Sequence, residues 1–428
     1  MKQFRVLSCH CATELRTQNF ELAFATLSVV NTRILALAVE ALTTLLAVAA
    51  MGYFLFAIIA ARMFLSSRRA KLAPFAPGVS ILKSLKGLDP GMLEAFRSHC
   101  HQNYLGEFEL LFGVSALDDP AVPAVRQLQS EFPDRTIRLI ECPARLGTNG
   151  KVSTLAQLAP HTRYEFLLIN DSDITVSPHY LEQVMEHFAP MQPLPNQQPP
   201  KPVGLVTALY RGRMHGSLGS RLESLGVATD FMPSVLVARM LEGGLRYGLG
   251  STLAVSREAL QEIGGFEALV DHLADDYELG ERIYKAGYRV ALSSVVVETS
   301  VPAYDWSGFC NHQLRWLRTV RDARPGGYAG LLFTHGFTLA LVNVIASGLS
   351  PISLWNLGLC FFLRLSLAMT VGAEVLGDHQ VLPNLGLLPL RDLVATALWI
   401  AGFSGNTIVW RGERFTVKRG KLSKAGGM

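Results

Sequence analysis

The sequence predicts an α/β protein: a doubly wound, mostly parallel sheet with transmembrane helices at its N- and C-terminal ends. Three observations carry this. Strand and helix patterns alternate from about residue 79 to residue 300, as in parallel sheets with crossover helices. A run of about twenty uncharged residues, Ala41 to Ala61, precedes that region, and a second apolar region follows residue 328. One short apolar run, Phe166–Ile169, ends abruptly in Asn170, Asp171, Ser172 and Asp173. A strand buried on both faces has that length, and open α/β sheets bind ligands at strand C-termini.

Composition sets the outer bounds. Charged residues are 17% and apolar residues 49% of 428 residues, a balance tilted toward membrane segments. A net charge of +4 is too small to argue for nucleic acid. Cys9, Cys11, Cys100, Cys142, Cys310 and Cys360 form no CxxC pair, so packed, reduced thiols are expected and neither a disulfide framework nor a zinc site.

In chain order, residues 1–38 form an N-terminal extension without a signal-peptide pattern, followed by a membrane helix over 39–62. Arg62, Arg68, Arg69 and Lys71 follow at once and place the next region on the cytoplasmic side. Strands are expected at Val79–Leu82, Phe108–Val114, Ile137–Ile140, Phe166–Ile169, Val203–Thr207 and Thr252–Val255. Helices are expected after Asp89-Pro90-Gly91 and Asp118-Asp119-Pro120. No GxGxxG follows a strand, which disfavours a dinucleotide site. Six prolines between 189 and 202 suit an extended loop.

The C-terminal membrane region, 328–411, holds three apolar stretches: Leu331–Leu349, Ile352–Val375 and Leu393–Trp410. Arg364 lies in the middle of the second, where a charge at bilayer centre costs about 2.5–3.5 kcal/mol. Basic residues flank the region on both sides, which asks for an even number of crossings. The Arg364 stretch is therefore expected to lie at the interface or to re-enter, unless one charge bias is overruled. Residues 412–428 are expected to be a basic cytosolic tail.

Polar clusters recur along the α/β region. Asp171 and Asp173 suit a hard cation such as Mg²⁺, held by one or two carboxylates and substrate phosphates; Asp-x-Asp also occurs in turns and caps. Asp89 and Asp119, each followed by proline, read equally well as helix caps. Asp118 stands outside the cap position and is the better nucleotide ligand. Asp275 and Asp276 open a helix, where acids complement the dipole, and Asp276 is also placed to act as a base. Arg315 offers a planar fork to phosphate and Trp316 an apolar face, while Arg318, Arg321 and Arg324 make the same helix a basic, interfacial one.

The order Lys86-Gly-Leu-Asp89, Leu117-Asp-Asp-Pro120, Asp171-Ser-Asp173, Asp275-Asp276 and Gln313-Leu-Arg-Trp316 resembles the ceramide glucosyltransferase family (glycosyltransferase family 21), a GT-A branch. Gly147-Thr-Asn-Gly-Lys151 and Val409-Trp-Arg-Gly-Glu-Arg-Phe415 extend the likeness. Val270–Gly280, Val296–Thr299 and Arg324–Gly336 are more similar to bacterial hopanoid-biosynthesis glycosyltransferases, associated with adding N-acetylglucosamine from UDP-GlcNAc to bacteriohopanetetrol.

The resemblance implies a GT-A catalytic domain over 76–325, in a multi-pass protein of the bacterial inner membrane with that domain facing the cytoplasm. It implies Mg²⁺ or Mn²⁺ on Asp171 and Asp173, uridine contacts from Asp118 with Asp89 ordering that side, and Lys151 on the donor. Asp276 is then the base with Asp275 beside it, and Gln313, Arg315 and Trp316 serve donor diphosphate and acceptor. His312 stands where the family more often has Gln or Arg, which leaves its role open. A ceramide acceptor with UDP-glucose is the alternative substrate pair, and a processive polysaccharide synthase a more distant one.

Overall fold

The computed structural model describes side chains for residues 33–68, 73–190, 200–410, 413–418 and 420–424. Most of the expected proline-rich loop (191–199), Arg69, Lys71, Arg411 and Arg419 of the basic flanks, and the extension's side chains through residue 32 lie outside these.

Eight strands form one sheet in the order β3-β2-β1-β4-β7-β6-β8-β5. They are β1 (Val79–Ser84), β2 (Phe108–Val114), β3 (Thr136–Glu141), β4 (Phe166–Ile169), β5 (Ile174–Thr175), β6 (Val203–Arg213), β7 (Leu253–Ser256) and β8 (Arg289–Ser300). β7 runs antiparallel to both neighbours and β5 antiparallel to β8, while the other six strands share one direction. Residues covered on both faces explain the unbroken apolar runs; every residue of β2 is buried. The chain leaves β1 toward β2 on one side and returns as β4 on the other. The sheet therefore has its switch point between β1 and β4, where a ligand crevice opens at the strand C-termini. β8 was not among the expected strands, because its apolar residues do not form one short, clean run.

Among the described residues, five helices are long and apolar enough to cross a membrane: Arg33–Ser67, Leu218–Leu241, Pro325–Ala346, Pro351–Val375 and His379–Gly402. The first belongs to a continuous helix, Lys2–Ser67. Large apolar side chains face outward on four of them, among them Leu35, Ile345, Ile352, Trp355 and Ile400, each more than half exposed. Such a belt needs lipid, and the chain is a membrane protein. The Leu218–Leu241 helix went unexpected because Arg221, Glu223, Asp230 and Pro233 interrupt its pattern. It is the most buried of the five and wedges between the sheet and the others.

Arg364 is fully buried, and it faces into the bundle. Its guanidinium donates to Asp392 Oδ1 at 2.7 Å, Asp230 Oδ1 at 2.5 Å and the Thr229 carbonyl at 2.6 Å. The cost that counted against a crossing helix assumed an unpaired charge; an inward, paired arginine does not incur it in that form. Arg364→Met should strand Asp392, leave Asp230 to Arg391 alone, and cost about 3–5 kcal/mol. A lower unfolding temperature in detergent than that of an Arg364→Met/Asp392→Leu double variant would show it.

The last expected helix, Leu393–Trp410, is shifted. The helix spans Leu388–Gly402, Gly405 turns at φ 74°, and Thr407–Trp410 is a strand, β9. β9 pairs with β10 (Glu413–Lys418) and β10 with β11 (Lys421–Lys424), so a folded three-stranded sheet stands where a tail was expected. The alternation Ile408, Phe415, Val417 and Leu422 buries one face against Leu273. That places the small sheet beside the Asp275-Asp276 turn.

Candidate active site

Asp171 and Asp173 follow β4 at the switch point. Asp173 points toward β8, where its Oδ2 accepts from Thr299 Oγ1 at 2.5 Å and from the Ser300 amide at 3.2 Å. Burial, and then the neighbouring Asp171 carboxylate, raise the Asp173 pKa. Between them Ser172 turns away and its hydroxyl donates to Asp89. Asp89 thereby joins the site through the loop after β1.

Asp275 and Asp276 occupy the first turn of the helix Asp275–Lys285. The dipole reading and the catalytic reading thus apply to the same residues. Asp276 Oδ1 accepts from the Tyr277 amide at 2.8 Å. A Cβ built on Gly250 would lie 3.1 Å from Asp276 Oδ2 and 3.8 Å from Asp171 Oδ2, so the two carboxylates border one small space that glycine keeps open. Burial, then the adjoining Asp275, push the Asp276 carboxyl up to about 6.

Lys151 holds these acids together. Its Nζ lies 2.7 Å from Asp171 Oδ1 and 3.6 Å from Asp275 Oδ2. Burial opposes its charge, but Asp171, Asp275 and Asp276 outweigh it and keep the ammonium above its ordinary pKa. Asn149 caps the helix carrying Lys151 by accepting from the Val152 amide at 3.2 Å. Its amide nitrogen donates to the His272 carbonyl at 2.8 Å, tying that helix to the Asp275 turn.

The helix Trp306–Ala323 brings in the third group. Arg315 Nη2 donates to His312 Nε2 at 2.8 Å, which leaves the proton on His312 Nδ1 to donate to Glu223 Oε2 at 2.9 Å. Gln313 Nε2 donates to the same oxygen at 3.3 Å. His312 is therefore an orienting link between Glu223 and Arg315. Trp316 packs on Phe231 with ring centroids 5.9 Å apart. Arg321 donates to the Gly402 carbonyl and Arg318 to the Ser404 and Thr407 carbonyls, so these two hold the end of the Leu388–Gly402 helix and the turn into β9.

Asp89, Lys151, Asp171, Asp173, Asp275, Asp276, Gln313, Arg315 and Trp316 all line one cavity of about 1080 Å³. Asp118 does not: it is exposed beyond β2, and Ser115 is the residue of that loop that reaches the cavity. Asp119 accepts from the Gly87 and Ala121 amides at 3.0 and 2.9 Å, knitting the loops after β1 and β2; the helices start later, at Met92 and Val122.

Glu223 and the Thr299–Ser300 pair escaped sequence reasoning, and Lys83, which opens the polar segment Lys83–Asp89 at the end of the first strand, received no role there. Lys83, buried at the end of β1, donates to the Asp171 carbonyl at 3.0 Å. Burial pulls its ammonium down to about 7 against the attraction of Asp173 and Asp171. A lysine directly after an apolar strand was a usable signal. Glu223 and the Thr299–Ser300 pair gave none, because their partners lie 80 or more residues away.

A buried carboxylate, Asp173, raised in pKa by that burial and then by the half-exposed Asp171 beside it, suits a divalent cation completed by phosphate oxygens. Among the described residues no group of three or more His, Cys, Asp or Glu could hold a metal alone, so such an ion would depend on its substrate.

A model of glycosyl transferase family 21 matches residues 42–423. Ceramide glucosyltransferase 3 of Caenorhabditis elegans is 25% identical over 361 residues, covering 79% of this chain and 72% of that protein. Ceramide glucosyltransferase 1 of the same organism is 22% identical, covering 81% and 73%. Among solved structures, the mannosyltransferase PcManGT from Pyrobaculum calidifontis, in complex with GDP-Man and Mn²⁺, is 20% identical with a TM-score of 0.49, over 85% of this chain and 97% of that one. With its acids, its arginine and its apolar helices arranged on this frame, the chain belongs to glycosyl transferase family 21 and is a glycosyltransferase.

Proposed function

We propose that the chain is an inverting, GT-A type lipid glycosyltransferase that moves N-acetylglucosamine from UDP-GlcNAc to the terminal hydroxyl of bacteriohopanetetrol at the cytoplasmic face of a bacterial inner membrane. One observation carries the lipid reading. The cavity holding the acids is continuous with a wall made of membrane-helix residues, including Tyr53, Leu331, Ala395 and Leu398. A hydroxyl anchored in a bilayer can meet a nucleotide sugar there without leaving lipid.

The donor diphosphate would lie between Asp171/Asp173 and Arg315, with Lys151 adding positive charge. Mg²⁺ or Mn²⁺ on the two aspartates would neutralise charge on the departing UDP. Arg315, held by His312, offers a fork to the same phosphates. Asp276 takes the proton of the acceptor hydroxyl as its oxygen attacks the anomeric carbon opposite the leaving group. One base and one displacement convert an α-linked donor into a β-glycoside. Asp118, exposed on the loop that brings Ser115 to the cavity, is proposed for the uridine, which it would meet only with that loop drawn inward.

Ceramide with UDP-glucose is the second reading, favoured by the names of the matched relatives. Membranes carrying the protein, given each UDP-sugar with each lipid and analysed by mass spectrometry, decide between them. A β-linked N-acetylglucosaminyl hopanoid is expected; glucosylceramide alone would establish the second reading, and no glycolipid from any pair would overturn both. Chelation with EDTA is expected to lower transfer at least about a hundredfold, with Mn²⁺ or Mg²⁺ restoring it. Full activity in EDTA would assign the counter-charge for UDP to Lys151, Arg315 and the other basic side chains of the cavity, Lys86 and Arg145 among them.

A further inference from the structure

The membrane side of the cavity carries a polar cluster that the transfer chemistry above does not use. Arg391 lines the cavity and is 7% exposed. Its Nη2 lies 3.1 Å from Asp230 Oδ2. Among the described residues its Nε and Nη1 have no hydrogen-bond partner, and the same holds for Asp230 Oδ2 and His335 Nε2. His335, 6% exposed, lines the same wall within electrostatic reach of Asp230 and Arg391. Phe231, Val235, Ala395 and Leu398 line the same cavity, with the hydroxyl residues Ser234 and Thr334 among them. A guanidinium buried with two unpartnered nitrogens is costly, since each buried unsatisfied group costs about 1–3 kcal/mol.

We propose that Arg391, Asp230 and His335 form a subsite that reads a neutral hydrogen-bonding group of the lipid acceptor, an amide or a secondary hydroxyl near the reacting one. The proposal rests on the lipid-glycosyltransferase reading above and names the group that the acceptor must carry.

Charge argues for a neutral ligand. Arg364 and Arg391 face Asp230 and Asp392, two cations against two anions, with Arg364 bonded to both carboxylates. The cluster therefore has no surplus positive charge to hold a phosphate headgroup. It offers donors on Arg391 beside an acceptor on Asp230, the complement of an amide or a hydroxyl, which donates and accepts at once.

Placement argues for the acceptor and not the donor. One helical segment, Leu218–Leu241, carries Glu223 toward the His312–Arg315 pair and Asp230, two turns on, toward Arg391. A π-helical stretch, Val227–Phe231, sets the turn between them. Its last ring, Phe231, packs between Tyr210 at 6.0 Å and Trp316 at 5.9 Å. Arg391, Asp230 and His335 line the same cavity as Asp276, beside the membrane-helix residues Ala395 and Leu398.

The test uses the full-length protein in lipid nanodiscs, with N-octanoylsphingosine and bacteriohopanetetrol as acceptor probes and both UDP-sugars. Arg391→Met is expected to raise KM for the accepted lipid tenfold or more, with KM for the UDP-sugar and affinity for UDP unchanged. Arg391→Lys, which keeps the charge and part of the donor set, should fall between. An acceptor analogue with its amide or inner hydroxyls methylated should be used equally poorly by wild type and Arg391→Met. A wild-type acceptor KM in Arg391→Met, or a parallel loss of UDP affinity, would overturn the subsite and leave Arg391 a structural residue. If wild type glycosylates neither probe, the transferase reading of the acceptor fails separately. The subsite is then judged by retention of tritiated probes: retention by wild type and loss in Arg391→Met supports it, and equal retention overturns it.

Discussion

Replacing Asp276 with asparagine is expected to lower transfer by about 10²–10⁴-fold, with donor binding nearly intact, because the amide keeps the shape and loses the base. The same change should make the protein harder to unfold at neutral pH. Burial and Asp275 raise the Asp276 carboxyl from its ordinary 3.8 to about 6. Between those values the folded protein holds a proton that the unfolded chain releases. Stability from this group is thus fully present below 3.8 and is lost as pH rises through 6. Above 6 the ionised carboxylate is catalytically ready and energetically unfavourable, and Asp276→Asn removes the second consequence together with the first. The pH profile of kcat/KM in the wild type should fall about tenfold per unit below 6. A variant with normal turnover, or a profile flat down to pH 5, would take the proton transfer away from Asp276.

Lys151→Met is expected to cost about a hundredfold in transfer, about 3 kcal/mol, the size of one close charge in a partly screened site. Lys151 contacts Asp171 and Asp275 and lowers the pKa of Asp276. Without it the acids repel one another, and the Asp276 carboxyl titrates above 6. The acid limb of the profile should move to higher pH, so part of the lost activity returns at pH 8.5. Lys151→Arg should keep the limb near its original position. An unmoved limb in Lys151→Met would show that Lys151 acts on the donor alone.

How much of this was legible in the chain differs by element. The strands β1, β2 and β4 and the acids at 171, 173, 275 and 276 were readable because each sits in a local pattern: a short apolar run, then an abrupt change to carboxylates. Asp118 shows the limit of such reasoning. Its place after β2 is legible, but whether it reaches the cavity depends on how a loop turns, and Ser115 is the residue that does. The Leu218–Leu241 helix was hidden because its charged residues are buried against partners far along the chain, Glu223 on His312 and Asp230 on Arg364. Arg364 itself misled: a charge read by position in an apolar stretch carries a penalty that pairing changes.

By itself the sequence determined the class of sheet, the presence of apolar helices at both ends, and which residue types stand at which strand ends. These follow from periodicity and from the chemistry of single side chains, both of which are local. The tertiary structure decided that Lys151 couples the acids of two distant turns, that Glu223 orients Arg315 through His312, and that the basic C-terminal stretch folds into a sheet beside the site. Charge pairing and shared burial depend on distance in space, and folding alone brings residues 80 or more positions apart into contact.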